Sequence, residues 1–152
     1  MSQAEDLLHP VGALLRAFHV NERAFPIAEG RIPYSPHVFS ALGYLADQPG
    51  ARASDLAEFL GVRPTTASSL IARLVTRGLS EKRPHPKDGR AVALHLTAEG
   101  EDLFAAIRRQ DVRNMELMLS ALSAADRTAF IQMMHQVARV VSDAADADTE
   151  DQ

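Results

Sequence analysis

With 152 residues, 46% of them hydrophobic, 5% aromatic and no Trp, the chain has room for one domain, or one subunit of an assembly, with an aliphatic and mostly helical interior. It has no Cys, which excludes a disulfide scaffold, a thiolate metal site and a thiol-based peroxide sensor. No apolar run approaches membrane-spanning length and no basic head precedes one, so a soluble cytoplasmic protein of net charge −4 is expected.

Leu7, Leu8, Val11, Leu14, Leu15 and Phe18 recur at three- and four-residue steps and predict an N-terminal helix. Pro10 either costs that helix a hydrogen bond or marks its start. Phe25-Pro26 and Gly30-Arg31-Ile32-Pro33 break the pattern into a loop. Ser35-Pro36 restarts a helix as N-cap and first residue, with Val38, Phe39, Leu42 and Leu45 on one face, and Asp47-Gln48-Pro49-Gly50 ends it. A helix from Ala53 to Leu60 buries Leu56, Ala57 and Leu60. Gly61 follows it, where a left-handed C-cap is needed. Pro64 opens the next helix, which buries Ala67, Leu70, Ile71 and Leu74 and stops at Gly78. A small residue, Ala57, with glycine four positions on is the pattern of a helix-turn-helix.

Leu79-Ser80-Glu81-Lys82-Arg83 reads as an outgoing strand and Pro84-His85-Pro86-Lys87-Asp88-Gly89 as a hairpin tip, with Gly89 permitting the tight turn. Val92, Leu94 and Leu96 alternate with Ala91, Ala93 and His95, the period of a half-buried strand. Thr97 supplies an N-cap and Glu99 a carboxylate favoured by the helix dipole. Leu103, Ile107, Met115, Met118 or Leu119, and Leu122 form the next apolar stripe. Ser123 with Asp126 resembles a capping box with Asp in place of Glu and opens a last helix carrying Phe130, Met133, Met134, Val137, Val140 and Val141. From Ala144 the tail is acidic and poor in apolar residues, and is expected to fray.

Divided by position, the net charge points to nucleic acid. From Arg52 to Arg90 eight basic side chains face four acidic ones, a net +4, leaving −8 for the remainder. A basic segment on an acidic body orients a molecule on DNA while limiting indiscriminate adhesion. The second helix of the helix-turn-helix exposes Arg63, Thr65, Thr66, Ser68, Ser69, Arg73 and Arg77. Arg pairs with guanine edges, Ser and Thr with phosphates or bases, and Thr methyls touch thymine; the competing use of Thr65 and Ser68 is to cap the helix or bond the preceding turn. No nucleophile elbow, phosphate-cradling loop or metalloprotease pair occurs, so neither enzyme activity nor a cofactor is expected. The fold class is mostly α with a small β-hairpin wing, and a basic hairpin behind a helix-turn-helix reads DNA.

Asp88-Gly89-Arg90, followed by Leu96-Thr97 and Gly100, resembles the D-x-R-x-x-x-x-x-L-T-x-x-G signature of the MarR family of bacterial regulators. The resemblance implies a winged helix whose tip Arg90 enters the minor groove, held by Asp88, in keeping with the attraction of a narrow groove for Arg; an acidic group so near phosphate is useful if it orients the guanidinium bidentately. His85 and Lys87 would touch phosphates, as would Arg83 from the strand. Arg63 departs from the family, standing where Ser or Thr commonly caps the recognition helix, which costs about 1 kcal/mol. The apolar terminal helices imply an intertwined homodimer on a pseudo-palindromic operator in double-stranded DNA. The chain then divides into an N-terminal dimerisation helix and loop (1–34), a DNA-binding lobe (35–97), C-terminal dimerisation helices (98–145) and an acidic tail (146–152). A small aromatic or phenolic effector would bind among His19, Phe25, Tyr34, His37 and Phe39, and its binding would release a repressor from DNA. The alternatives are a metal-responsive regulator of the same fold and a winged-helix protein-interaction module without DNA binding. Against the first, no His pair stands at ligand spacing and no metal residue is assigned; against the second stand the basic wing and Arg63.

Overall fold

The computed structural model describes residues 2–23, 32 and 35–150, with side chains described over 2–18, 32 and 35–144. The elements run α1 (Gln3–Arg23), α2 (Pro36–Asp47), α3 (Ala53–Leu60), α4 (Pro64–Thr76), β1 (Ser80–His85), β2 (Asp88–Leu96), α5 (Ala98–Ser120) and α6 (Ala124–Glu150). They form two compact units, Met1–Gln110 and Asp111–Gln152.

In the first unit α1 begins at a reciprocal cap. The Glu5 N–H donates to Ser2 Oγ (3.2 Å) and the Ser2 N–H to Glu5 Oε2 (2.6 Å), a capping box that the apolar spacing alone does not reveal. Pro10 lies inside the helix, so it removes one internal hydrogen bond and does not mark the start. Pro36 opens α2 at its first position; the Ser35 hydroxyl makes no cap bond, and the Ser35 carbonyl accepts from Val38 and Phe39 N–H instead. Gly61 ends α3 at φ +62° and Gly78 follows α4 at φ +69°, the left-handed positions that glycine occupies without a Cβ penalty. The core joins Val38, Leu42 and Leu45 of α2, Leu56 of α3, Leu70, Ile71 and Leu74 of α4, Leu79, Leu94 and Leu96 of the hairpin, and Leu103 and Ile107 of α5. Each such side chain contributes about 1.5–3 kcal/mol on burial.

The hairpin is longer on one side than its sequence suggests. β1 continues through Pro84 to His85, leaving Pro86-Lys87 as the turn, and the antiparallel ladder runs from Ser80↔Leu96 to Pro84↔Val92. The next pair is His85↔Asp88, so Gly89, Arg90 and Ala91 have no partners across the ladder and form a bulge. Gly89 is not at positive φ, so its predicted part in the tight turn is corrected; the turn falls two residues earlier. Val92 is corrected too: it is 44% exposed whereas Ala93 is fully buried. The cause is a third segment at the hairpin's foot, where Ala51 bridges Leu94 through Gly50 N to Leu94 O (2.8 Å) and Leu94 N to Ala51 O (2.9 Å). Burial therefore begins at the foot, while Val92 stands on the free upper part.

A latch joins β1 to α5. The Thr97 N–H donates to Leu79 O (3.1 Å), the Thr97 hydroxyl donates to Gly78 O (2.5 Å) and accepts from Gly100 N–H (3.1 Å). The predicted N-cap thus also ties its helix to the chain nineteen residues earlier. A Cβ on Gly100 would lie 2.0 Å from the Leu79 carbonyl oxygen, which is why this position takes no side chain.

In the second unit the Ser123 Oγ accepts from Asp126 N–H (3.2 Å) and donates to the Asp126 carboxylate (2.5 Å). That is half of a capping box, because the short Asp meets the hydroxyl and not the Ser123 backbone N–H. Arg127 Nε donates to Leu119 O (3.0 Å) and Leu122 O (3.3 Å), satisfying carbonyls left open where α5 ends. Met115, Met118, Leu119, Phe130, Ile131 and Met134 line much of an apolar groove of about 480 Å³. α6 continues to Glu150, through most of the stretch expected to fray. No helix among the described residues is long and apolar enough to cross a membrane.

Candidate nucleic-acid interface

α4 is the second helix of the helix-turn-helix, and Arg63 precedes it as N-cap without a side-chain cap bond, Pro64 taking the first position. Its buried residues Ala67, Leu70, Ile71 and Leu74 fix which side faces outward. At about 100° per residue, the polar residues fall into two parallel lines. Thr65, Ser68, Ala72 and Thr76 form one, Thr66, Ser69 and Arg73 the other. The second line borders a cleft of about 120 Å³ shared with Ser35 and His37 at the start of α2. The Ser69 hydroxyl is turned back onto the helix, donating to Thr65 O (3.0 Å). Thr65 and Ser68 are exposed, and their side chains make no hydrogen bond among the described residues.

The wing presents the other basic groups. At its turn the His85 Nδ1 accepts the Lys87 N–H (3.2 Å), so the imidazole that was assigned to phosphate also builds the tip. The Asp88 carboxylate accepts the backbone N–H of Arg90 (3.0 Å). This corrects the expected bidentate pairing: Asp88 shapes the bulge through the main chain, as Asp does two residues before a turn amide. The Arg90 guanidinium is exposed and has no partner among the described residues. Arg83 is tied to Glu81 through Nε (2.8 Å) and through an ion pair at Nη2, so its charge already has a carboxylate partner within the strand. Lys82 and Lys87 stand exposed. Sequence reasoning counted Lys82 in the basic segment without giving it a role; its placement on the hairpin beside Arg83 is the signal that was available.

The residues assigned to an effector are only partly in view. Phe25 and Tyr34 lie outside the described residues, as does the side chain of His19. Phe39 is half-buried against the core while His37, two positions away, lines the α2–α4 cleft; two residues apart on a helix they cannot share one wall. Among the described residues no three His, Asp or Glu side chains gather as metal ligands.

The interface has relatives. A sequence profile described as the MarR family matches residues 33–91, which run from just before α2 into the wing. The HTH-type transcriptional regulator YybA of Bacillus subtilis is 23% identical over 136 residues, 87% of this chain and 86% of YybA. The regulator Mb0904 of Mycobacterium bovis is 33% identical over 95 residues, 62% of this chain and 66% of that protein. Among solved structures, the PcaV transcriptional regulator from Streptomyces coelicolor superposes with a TM-score of 0.61 at 24% identity, covering 88% of this chain and 96% of PcaV. PcaV in complex with its natural ligand gives a TM-score of 0.54 at 24% identity, over 82% of this chain and 90% of PcaV. Each of these relatives is named as a transcriptional regulator. With its helix-turn-helix, its hairpin wing and the Asp88–Gly100 signature, the chain has the fold of the winged helix-turn-helix regulators, and its residues 33–91 match the MarR family.

Proposed function

We propose that the chain is a homodimeric, sequence-specific repressor that binds a pseudo-palindromic site in double-stranded DNA and is released by a small aromatic or phenolic ligand. The observation that carries the DNA reading is Arg90: a guanidinium with no partner among the described residues, on an exposed bulge whose backbone is held by Asp88. A free cation at the tip of a wing fits the narrow minor groove, where negative potential is enhanced. Arg63 and Arg73 on α4 and Lys87 on the turn extend the same positive surface, with His85 and Arg83 contributing beside them. Work on chromosomal DNA places the protein in the cytoplasm.

The dimer is supported by apolar surface that a lone chain leaves in water. Leu7, Leu8 and Leu15 of α1 are 61%, 71% and 64% exposed, and Val137, Val140 and Val141 of α6 are 56%, 65% and 63% exposed. Contiguous apolar faces of this kind mark an interface, so residues 1–34 and 98–145 pair with a second copy around the lobe 35–97, ahead of the acidic tail 146–152. The effector reading rests on His37, whose cleft meets Thr66, Ser69 and Arg73 of α4. A ligand in that cleft would act on the recognition helix directly, and PcaV, solved with its natural ligand, is a regulator of like fold that binds one; His19, Phe25, Tyr34 and Phe39 stay candidates on the sequence alone.

Titration of duplex DNA at two salt concentrations tests the reading, with light scattering alongside. A steep fall of affinity with salt is the mark of several phosphate contacts. Salt-independent or absent binding by a well-folded dimer would refute it.

A further inference from the structure

The polar residues of α4 cannot all read bases, because they span more of the helix than one groove floor can touch. The line Thr66, Ser69 and Arg73 lies toward α2: it borders the α2–α4 cleft with His37, and the Ser69 hydroxyl is spent on Thr65 O. The line Thr65, Ser68 and Ala72 lies on the side turned from Ala67, Leu70, Ile71 and Leu74, and its two hydroxyls have no partner among the described residues. Resting on the DNA-binding function proposed above, we infer that Thr65, Ser68 and Ala72 are the specificity-determining residues of α4. The base pairs beneath them are A·T pairs recognised through thymine methyl groups.

The chemistry follows from what this line holds and lacks. Thr65 and Ala72 present methyl groups, Thr65 and Ser68 present hydroxyls, and none carries a charge. Reading guanine takes the fork of an Arg or the ammonium of a Lys, whereas a thymine C5-methyl is met by apolar contact from Ala or the Thr methyl, with hydroxyls serving either base. Short side chains also let the helix backbone approach the groove floor, which the longer Arg73 on the neighbouring line would prevent if it were the groove-facing one. Arg63, which precedes α4 as its N-cap, is left as the group suited to a flanking guanine or phosphate.

The test begins with selection of binding sites from a random duplex pool by the full-length protein, followed by replacement of each selected thymine with uracil, which deletes only the methyl. Wild type is expected to select half-sites with thymine at the centre and to lose about fourfold in affinity at a contacted thymine, the worth of one methyl group returned to water. Thr65→Ser, which keeps the hydroxyl and the fold, is expected to bind the thymine and uracil versions of one such position equally. Ser68→Ala is expected to relax preference at the adjacent pair. Half-sites read through guanine alone, or a uracil penalty unchanged in Thr65→Ser at every position, would overturn the assignment while leaving DNA binding intact. Selection that returns no motif would remove the DNA-binding function itself, and this inference with it.

Discussion

Replacing Gly100 by Ala tests the latch that sets the first turn of α5 against β1. The added Cβ would sit 2.0 Å from the Leu79 oxygen and 2.9 Å from its carbonyl carbon, both main-chain atoms that no rotamer change can move. Contacts under 3.0 Å are essentially absent around real Cβ atoms, so helix and strand must part by at least 1.0 Å. That displacement carries the Thr97 N–Leu79 O bond from 3.1 Å and the Thr97 Oγ1–Gly78 O bond from 2.5 Å to the edge of useful geometry or beyond it. Two such bonds are worth about 1 kcal/mol each, and disturbing the packing of the adjoining buried Leu103 adds about 1–3 kcal/mol. The sum is about 4 kcal/mol, or about 10 °C in Tm for a chain of this size. Thr97→Val, which replaces the hydroxyl by a methyl group and leaves the backbone bond, is expected to cost less than half as much. Thermal unfolding followed by circular dichroism at one fixed protein concentration measures both, the concentration being held because an oligomer's Tm depends on it. A Gly100→Ala midpoint within about 2 °C of wild type would show that the close approach is not what excludes a side chain.

At the wing, Arg90→Ala is expected to weaken DNA binding about 5- to 150-fold, a loss of about 1–3 kcal/mol, with circular dichroism and molecular mass unchanged; equal affinity in an anisotropy titration would dismiss the wing. Asp88 separates two mechanisms: Asp88→Asn keeps an oxygen for the Arg90 N–H and is expected to bind DNA nearly as wild type, while Asp88→Ala falls several-fold. If both variants lost affinity alike, the carboxylate charge would be the active element after all. For assembly, Val137→Glu with Val140→Glu is expected to turn a dimer at micromolar concentration into monomer by light scattering, and removal of the chain from Ser123 onward to make it insoluble; a clean wild-type monomer with full DNA binding would contradict this. A small aromatic carboxylate is expected to release DNA from wild type, with the response blunted and DNA binding retained in Tyr34→Ala or His37→Ala. Effectors whose action survives both changes would move the site, with the groove at Met115 and Met134 the next place to look.

What the sequence revealed was whatever depends on neighbours within a few positions. Pro64 at the first position of α4, Gly61 and Gly78 in left-handed backbone, and the buried sets of α2, α3 and α4 all follow from local stereochemistry and helical spacing. The errors arose where distant segments meet. Val92 and Ala93 exchange their expected places because Ala51, more than forty residues away, completes the sheet at its foot. Gly89 looks like a turn glycine, yet the turn moved to Pro86-Lys87 because Asp88 pairs with His85, and no local pattern encodes that pairing. Asp88 and Arg90 suggested an ion pair through their charges; the two-residue spacing also fits a carboxylate-to-amide bond, and geometry chose the latter. Gly100 belongs to a legible signature, but its reason, the Leu79 carbonyl beneath it, appears only in the fold.

The bridge between Ala51 and Leu94 also governs the order in which the reading head comes into being. A ribosome adding about 5–20 residues per second delivers Leu94 roughly 2–9 s after Ala51, whereas a helix relaxes within about a microsecond. α4 is complete at Thr76, roughly 1–4 s before Leu94 follows at that rate, yet a helix of 13 residues on its own is marginal in water. Its orientation waits for the strand that Gly50 and Ala51 receive and for the cap that Thr97 places on Gly78. The segments that fix the direction of α4 are thus made after α4 itself, the last of them at Thr97 and Gly100.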